Sequence, residues 1–147
     1  MANTKRLNYA LDIYGNKYYN YYFEPDKKLK EEIKYQSILE DITGYKIYLN
    51  PKTKEQGVRT PDYWFEDTNE LWDLKYINGN NRSTIDAILR KSKNQSNNII
   101  LVPNKTKMSI DTIANILQSV INKHQRMNIK KIILIDNGNK KYLLFTR

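Results

Sequence analysis

The stretch from Pro61 to Lys75 (Pro-Asp-Tyr-Trp-Phe-Glu-Asp-Thr-Asn-Glu-Leu-Trp-Asp-Leu-Lys) limits the fold more tightly than any other part of this chain. It holds two strand-like runs, about 62–67 and 70–77, around a polar turn. Side chains on a strand alternate between faces, so Asp73 and Lys75 share one face while Trp72 and Leu74 share the other. A two-residue turn at Thr68-Asn69, or a four-residue loop from Asp67 to Glu70, sets Trp64 opposite Asp73 and Asp62 opposite Lys75. Tyr63, Phe65, Trp72 and Leu74 then form one apolar face, and Asp62, Asp73 and Lys75 lie together on the other. A three-residue turn would mix acids into the apolar face. Because the buried face fixes register, the arrangement that gathers the acids is favoured. Leu71 is the exception, landing on the acidic face.

The remaining elements follow from periodicity. Residues 27–43 read as a helix, with Tyr35, Ile38, Leu39 and Ile42 at helical spacing and Gly44 as its stop. Glu31 and Glu32 extend that stripe backwards, whereas Glu40 lies off it and is expected in solvent. Tyr45 to Leu49 alternates as a strand, and 52–60 reads as a polar loop. Ser83, with Asp86 three residues on, resembles a capping box that opens a helix over about 84–92. Asn98 to Val102 is a continuous apolar run, expected as a buried strand. Ser109 opens a long helix to about 126, and a hairpin of Lys131–Asp136 and Lys140–Thr146 turns at Asn137-Gly138-Asn139. The order predicts an α/β class: a single domain with a mixed sheet flanked by helices. The domain proper is 27–147; residues 1–26 form a tyrosine-rich segment expected to pack on it.

Bulk properties narrow the function. At 147 residues the chain can bury a real core. It has no cysteine, so disulfides, thiolate metal sites and a cysteine nucleophile are excluded. The single histidine excludes two-histidine catalysis, and His124 is expected at the surface or a helix end. There is no phosphate-binding glycine loop and no apolar run long enough to span a membrane. A net charge of +9 favours a polyanionic partner, nucleic acid before anionic membrane.

Two carboxylates and a lysine on one strand face suit phosphodiester hydrolysis. Mg²⁺ takes hard oxygen ligands, keeps several waters and accepts further oxygens from a phosphate. It lowers the pKa of bound water and neutralises charge on the reacting phosphate. A neighbouring lysine orients the water or stabilises developing charge. Mg²⁺ is the expected ion, with Mn²⁺ or Zn²⁺ as alternatives. Arg82, Ser83, Thr84, Arg90, Lys91 and Lys93 are the expected nucleic-acid contacts, the cations on the outward face of their helix.

At these residues the chain resembles the PD-(D/E)xK nuclease superfamily, through Pro61-Asp62 and Asp73-Leu74-Lys75. It is most similar to the tRNA-nuclease domain of contact-dependent growth inhibition toxins. The resemblance rests on Glu70-Leu71-Trp72-Asp73-Leu74-Lys75, the loop Asn78–Asn81, Ser83-Thr84 and Gln95-Ser96-Asn97-Asn98-Ile99-Ile100, and covers roughly 30–102. It implies a restriction-endonuclease-like core and metal-dependent cleavage of RNA, tRNA above all, by an antibacterial toxin. Glu32 (or Glu31), Asp62 and Asp73 would bind the metal, Lys75 would assist catalysis, and Gln95 matches a glutamine that some members carry. A toxin of this kind would act in the bacterial cytoplasm, arrive as part of a larger secreted protein and have a cognate immunity protein. The alternatives are a DNA endonuclease of restriction or repair type, a non-catalytic nucleic-acid-binding phage or mobile-element protein, and a metal-independent RNase using Lys, Arg, Tyr and His124.

Overall fold

A computed structural model describes residues 9–11, 17–19, 27–50, 61–92, 96–126 and 128–147, with side chains from Lys30 onward. The chain is α/β, with a mixed sheet and flanking helices as the element order predicts. It divides into two compact units, Met1–Glu70 and Leu71–Arg147.

In the first unit, β1 (Tyr9–Leu11) and β2 (Lys17–Tyr19) pair antiparallel. The side chains of the tyrosine-rich segment lie outside the described residues. Helix α1 runs from Lys27 to Thr43, the expected span. It ends where Gly44 takes a left-handed φ of 76° and donates its N–H to Glu40 O at 3.0 Å, the conformation glycine reaches without a Cβ clash. Strands β3 (Ile47–Leu49) and β4 (Tyr63–Phe65) pair antiparallel, with Tyr48 opposite Trp64. Two further bonds extend the ladder at both ends, Asn50 N–H to Asp62 O and Glu66 N–H to Lys46 O, each 2.9 Å. Alternation therefore places Ile47, Leu49, Tyr63 and Phe65 on one face, all buried. Lys46, Tyr48, Asn50, Asp62, Trp64 and Glu66 share the other.

Helix α1 buries Ile33, Tyr35 and Leu39. It is tied to the hairpin by Gln36 Nε2, which donates to Ile47 O at 2.8 Å. Glu40 is not simply solvated, because its Oε2 accepts the Ile47 N–H at 3.0 Å. An unpaired edge N–H is costly to bury, and this carboxylate satisfies it. The turn after β4 occupies Glu66–Asn69, one residue earlier than the four-residue alternative. Asn69, at φ 53°, donates its N–H to Glu66 O; asparagine tolerates that left-handed conformation better than most residues.

The second unit is a four-strand sheet, β5 (Glu70–Ile77, its first residue closing the first unit), β6 (Asn98–Pro103), β7 (Lys131–Asp136) and β8 (Lys141–Thr146), in that order. β5, β6 and β7 are parallel and β8 is antiparallel. Parallel neighbours need crossovers, which α2 (Arg82–Lys91) and α3 (Ile110–Asn122) supply. Both crossovers step the same way across the sheet, so the common right-handed rule places both helices on one face. That face holds the core: Ile85 and Leu89 from α2 and Ile113, Leu117 and Val120 from α3, against Ile77, Ile99, Leu101, Ile132 and Leu134.

Strands β3 and β4 are shorter than the expected 45–49 and 62–67, and two helix boundaries also differ from expectation. Asn81, not Ser83, caps α2: its side chain accepts the Thr84 N–H, and Ser83 becomes a first-turn residue donating its hydroxyl to Asn81 Oδ1. Asparagine is at least as good a cap as serine, and here it has the extended backbone a cap requires. Helix α3 keeps its Ser109 cap but stops at Asn122, because His124 and Arg126 take left-handed φ values of 53° and 50°. His124 lies exposed in that turn.

Candidate active site

The expected site residues fall on both units. In the first, Glu32 and Asp62 are 4% and 2% exposed. The Tyr63 hydroxyl donates to the Glu32 carbonyl oxygen at 2.6 Å, bonding the residue next to Asp62 to the helix turn that carries Glu32. Tyr63 is itself fully buried, so its hydroxyl needs a partner, and this one fixes where α1 crosses the hairpin. Asp62 is held through its own carbonyl by Asn50. Glu32, not Glu31, is the buried member of the pair.

In the second unit Asp73 is 1% exposed and Lys75 is half-buried. Asp73 pairs with Ile99 and Lys75 with Leu101 across the parallel ladder. Paired residues of neighbouring strands share a face, so both polar side chains stand on the face that α2 and α3 cover, at the edge of its apolar core. Ile77, two residues beyond Lys75, lies wholly within that core. Leu71, with Asp73 and Lys75 on its own face, is 43% exposed.

The start of β5 is fixed from the side. Ser96 Oγ and Asn98 Nδ2 both donate to the Leu71 carbonyl, at 2.8 and 3.0 Å, and Ser96 Oγ accepts the Asn98 N–H. These two residues thus hold the backbone two positions before Asp73, a role their polarity alone did not reveal. Gln95 lies outside the described residues, as does Lys93.

Of the expected nucleic-acid contacts, Arg82, Ser83, Arg90 and Lys91 are exposed. Arg82 is engaged within the protein, donating to Ser119 Oγ and Gln125 Oε1. Thr84 is a packing residue: a Cβ on Gly79, whose φ is 153°, would lie 2.3 Å from Thr84 Oγ1, so only glycine permits this approach. The Asn-rich loop is an anchor, with Asn78 and Asn80 accepting the N–H groups of Lys105 and Lys107. Arg82, Ser83, Asp86, Gln125 and Arg126 line a cleft of about 670 Å³. Within it Arg126 grips Asp86 in a two-bond fork, at 2.9 and 2.7 Å. That fork holds the Asp86 carboxyl below its ordinary value and raises the Arg126 guanidinium. Asp86 is therefore not a capping-box acid.

Among the described residues, no three His, Asp or Glu side chains gather as a preformed metal cage. Mg²⁺ is commonly held by one or two carboxylates with water and substrate phosphate, and needs no all-protein cage.

The family described as Contact-dependent growth inhibition CdiA C-terminal domain matches residues 59–140, more than half of the chain. The chain belongs to that family. No curated protein sequence matches it. Among solved structures, a CdiA-CT/CdiI toxin and immunity complex from Burkholderia pseudomallei is similar, with a TM-score of 0.62 over 81% of this chain and 84% of that one. At 21% identity the likeness is one of fold. In this CdiA C-terminal domain the matched residues take in Asp62, Asp73, Lys75 and the Ser96–Asn98 clamp.

Proposed function

We propose that this CdiA C-terminal domain is a metal-dependent nuclease that hydrolyses phosphodiester bonds of RNA, tRNA being the favoured substrate, and that it acts as an antibacterial toxin. The observation that carries the reading is the Asp73–Lys75 pair, an acid 1% exposed and a half-buried lysine on one face of β5. It stands in a growth-inhibition domain of net charge +9. Glu32, Asp62 and Asp73 are the carboxylates assigned to Mg²⁺, with Mn²⁺ and Zn²⁺ as alternatives. When bound, the ion neutralises charge on the phosphate and acidifies its water. Lys75 places an ammonium donor two residues from Asp73, where it orients the attacking water or steadies charge that develops on the phosphate. Gln95 is assigned a supporting role on sequence resemblance. Exposed Arg90 and Lys91, with Lys93, are assigned to the phosphate backbone, giving salt-dependent affinity.

The similarity to a toxin and immunity complex supports a cognate immunity protein for this chain, and the CdiA C-terminal family supports delivery from a larger secreted protein. Action in the target cytoplasm is the corollary of the tRNA-nuclease reading. The test is incubation with total tRNA and Mg²⁺ or Mn²⁺. Cleavage should vanish with EDTA and fall at least about a hundredfold in Asp73→Ala, the scale expected when a transition-state charge partner is lost. EDTA-resistant cleavage, or tRNA left intact while plasmid DNA is nicked, would overturn it.

A further inference from the structure

The hairpin face opposite α1 carries a second feature beside Asp62. Tyr48 and Trp64 face each other across the β3–β4 ladder, with ring centroids 5.7 Å apart and planes inclined by 29°. A centroid separation of that size is an offset stack, in which neither ring fully covers the other. Both residues are only half-buried. The indole is held in plane by its Nε1–H, which donates to Asn69 Oδ1 at 3.0 Å, so a turn residue at φ 53° sets the ring's orientation. With its one polar donor already used, Trp64 can offer a ligand only its π face. A π face recognises any base, because every base has one.

Position adds the second argument. Trp64 and Asp62 are two residues apart on the same face of a continuous ladder, roughly 7 Å along the strand. The same face carries the exposed cation Lys46. We propose that Tyr48 and Trp64 form a stacking platform for an unpaired nucleobase of the RNA substrate, setting the adjoining phosphate beside Asp62. This rests on the nuclease reading and deepens it: the substrate it selects has a nucleotide free to leave its stack at the cleavage position, as in a loop or single-stranded end. The offset pair takes the base on the indole, and Asn69 preorganises that surface before RNA arrives.

The experiment is tryptophan fluorescence of the whole domain in EDTA, titrated with a short unstructured RNA oligonucleotide and, in parallel, with the same sequence annealed to its complement. The single strand should quench emission, and the duplex should bind without quenching. Trp64→Phe should remove the quenching while the emission of buried Trp72 stays unchanged and affinity stays within a few-fold. Trp64→Ala should weaken single-strand binding by about tenfold, the usual scale for one stacked base. Quenching that survives in Trp64→Phe, unaltered affinity in Trp64→Ala, or no RNA binding by the wild-type domain would each overturn the platform. Failure of the nuclease reading is seen separately, as tRNA left uncut in Mg²⁺. Cutting that persists without Trp64 quenching sinks only the platform.

Discussion

The two units bury polar side chains in different ways. In the second, Ser92 and Asp136 sit at element ends and satisfy local groups: Ser92 Oγ donates to Ile88 O, and Asp136 accepts from Asn139. The second-unit core itself is Ile, Leu, Val and Phe, and Asp73 is a buried acid in mid-strand, whereas Asp136 is the last residue of β7. In the first, buried polar residues stand within or beside the elements, Glu32 and Gln36 on the core side of α1 and Asp62 in the β3–β4 ladder. A buried polar group at an element end is explained by the turn it closes. One in mid-element costs stability unless partners compensate it, so it points to chemistry. Stability and function should therefore separate cleanly in the second-unit core and stay coupled in the first unit.

The largest effect tests the apolar side of that contrast. Leu117→Ala removes a fully buried core side chain and should cost about 3 kcal/mol in denaturant unfolding. The protein that stays folded should cleave RNA at the wild-type rate. A matching loss of activity per folded molecule would show that the core and the site are not separable. Next, Tyr63→Phe deletes the hydroxyl that holds Glu32 O. It should cost about 1–2 kcal/mol, since it leaves a buried carbonyl short of its donor. It should also lower activity beyond what the lost folded fraction explains. Activity that tracks the folded fraction would break the coupling assigned to the first unit.

Asn81→Ala removes the α2 cap and should cost about 1 kcal/mol, whereas Ser83→Ala should cost clearly less. Equal losses would return the cap to Ser83. The smallest effect is electrostatic. The Arg126 fork holds the Asp86 carboxyl below its usual 3.8. A lowered acid contributes stability that is fully present above its unfolded pKa and is lost as pH falls through the folded one. The pair is about a third exposed, so solvent screening limits it to roughly 0.5 kcal/mol. Comparing the wild type with Asp86→Asn, the difference in unfolding free energy should be flat at neutral pH and shrink below about pH 4. A difference that grew on acidification would contradict the assignment.

Long periodic segments were legible from residues alone: α1, β5 and β7 have their expected spans, and β6 lies within a residue of its own. What escaped were side chains whose partners lie far along the chain. Glu40 looks solvated on a helical wheel, yet it closes an edge N–H seven residues away. Ser96 carries no mark of its role and Asn98 reads only as the start of a strand, yet both hold a carbonyl of β5. Asp86 fits a local capping pattern, but an arginine from the turn after α3 claims it, because a two-bond fork outweighs a single cap bond.

The sequence by itself determined the α/β class and the placement of Asp73 and Lys75 on one side of β5. Those follow from the two-residue and 3.6-residue periods, which need no knowledge of neighbours. Only the tertiary structure decided which acid of α1 is buried, which residue caps α2, and that Tyr48 and Trp64 stack beside Asp62. Each depends on what the chain brings alongside, and burial and partnership are properties of the folded surroundings rather than of the residue.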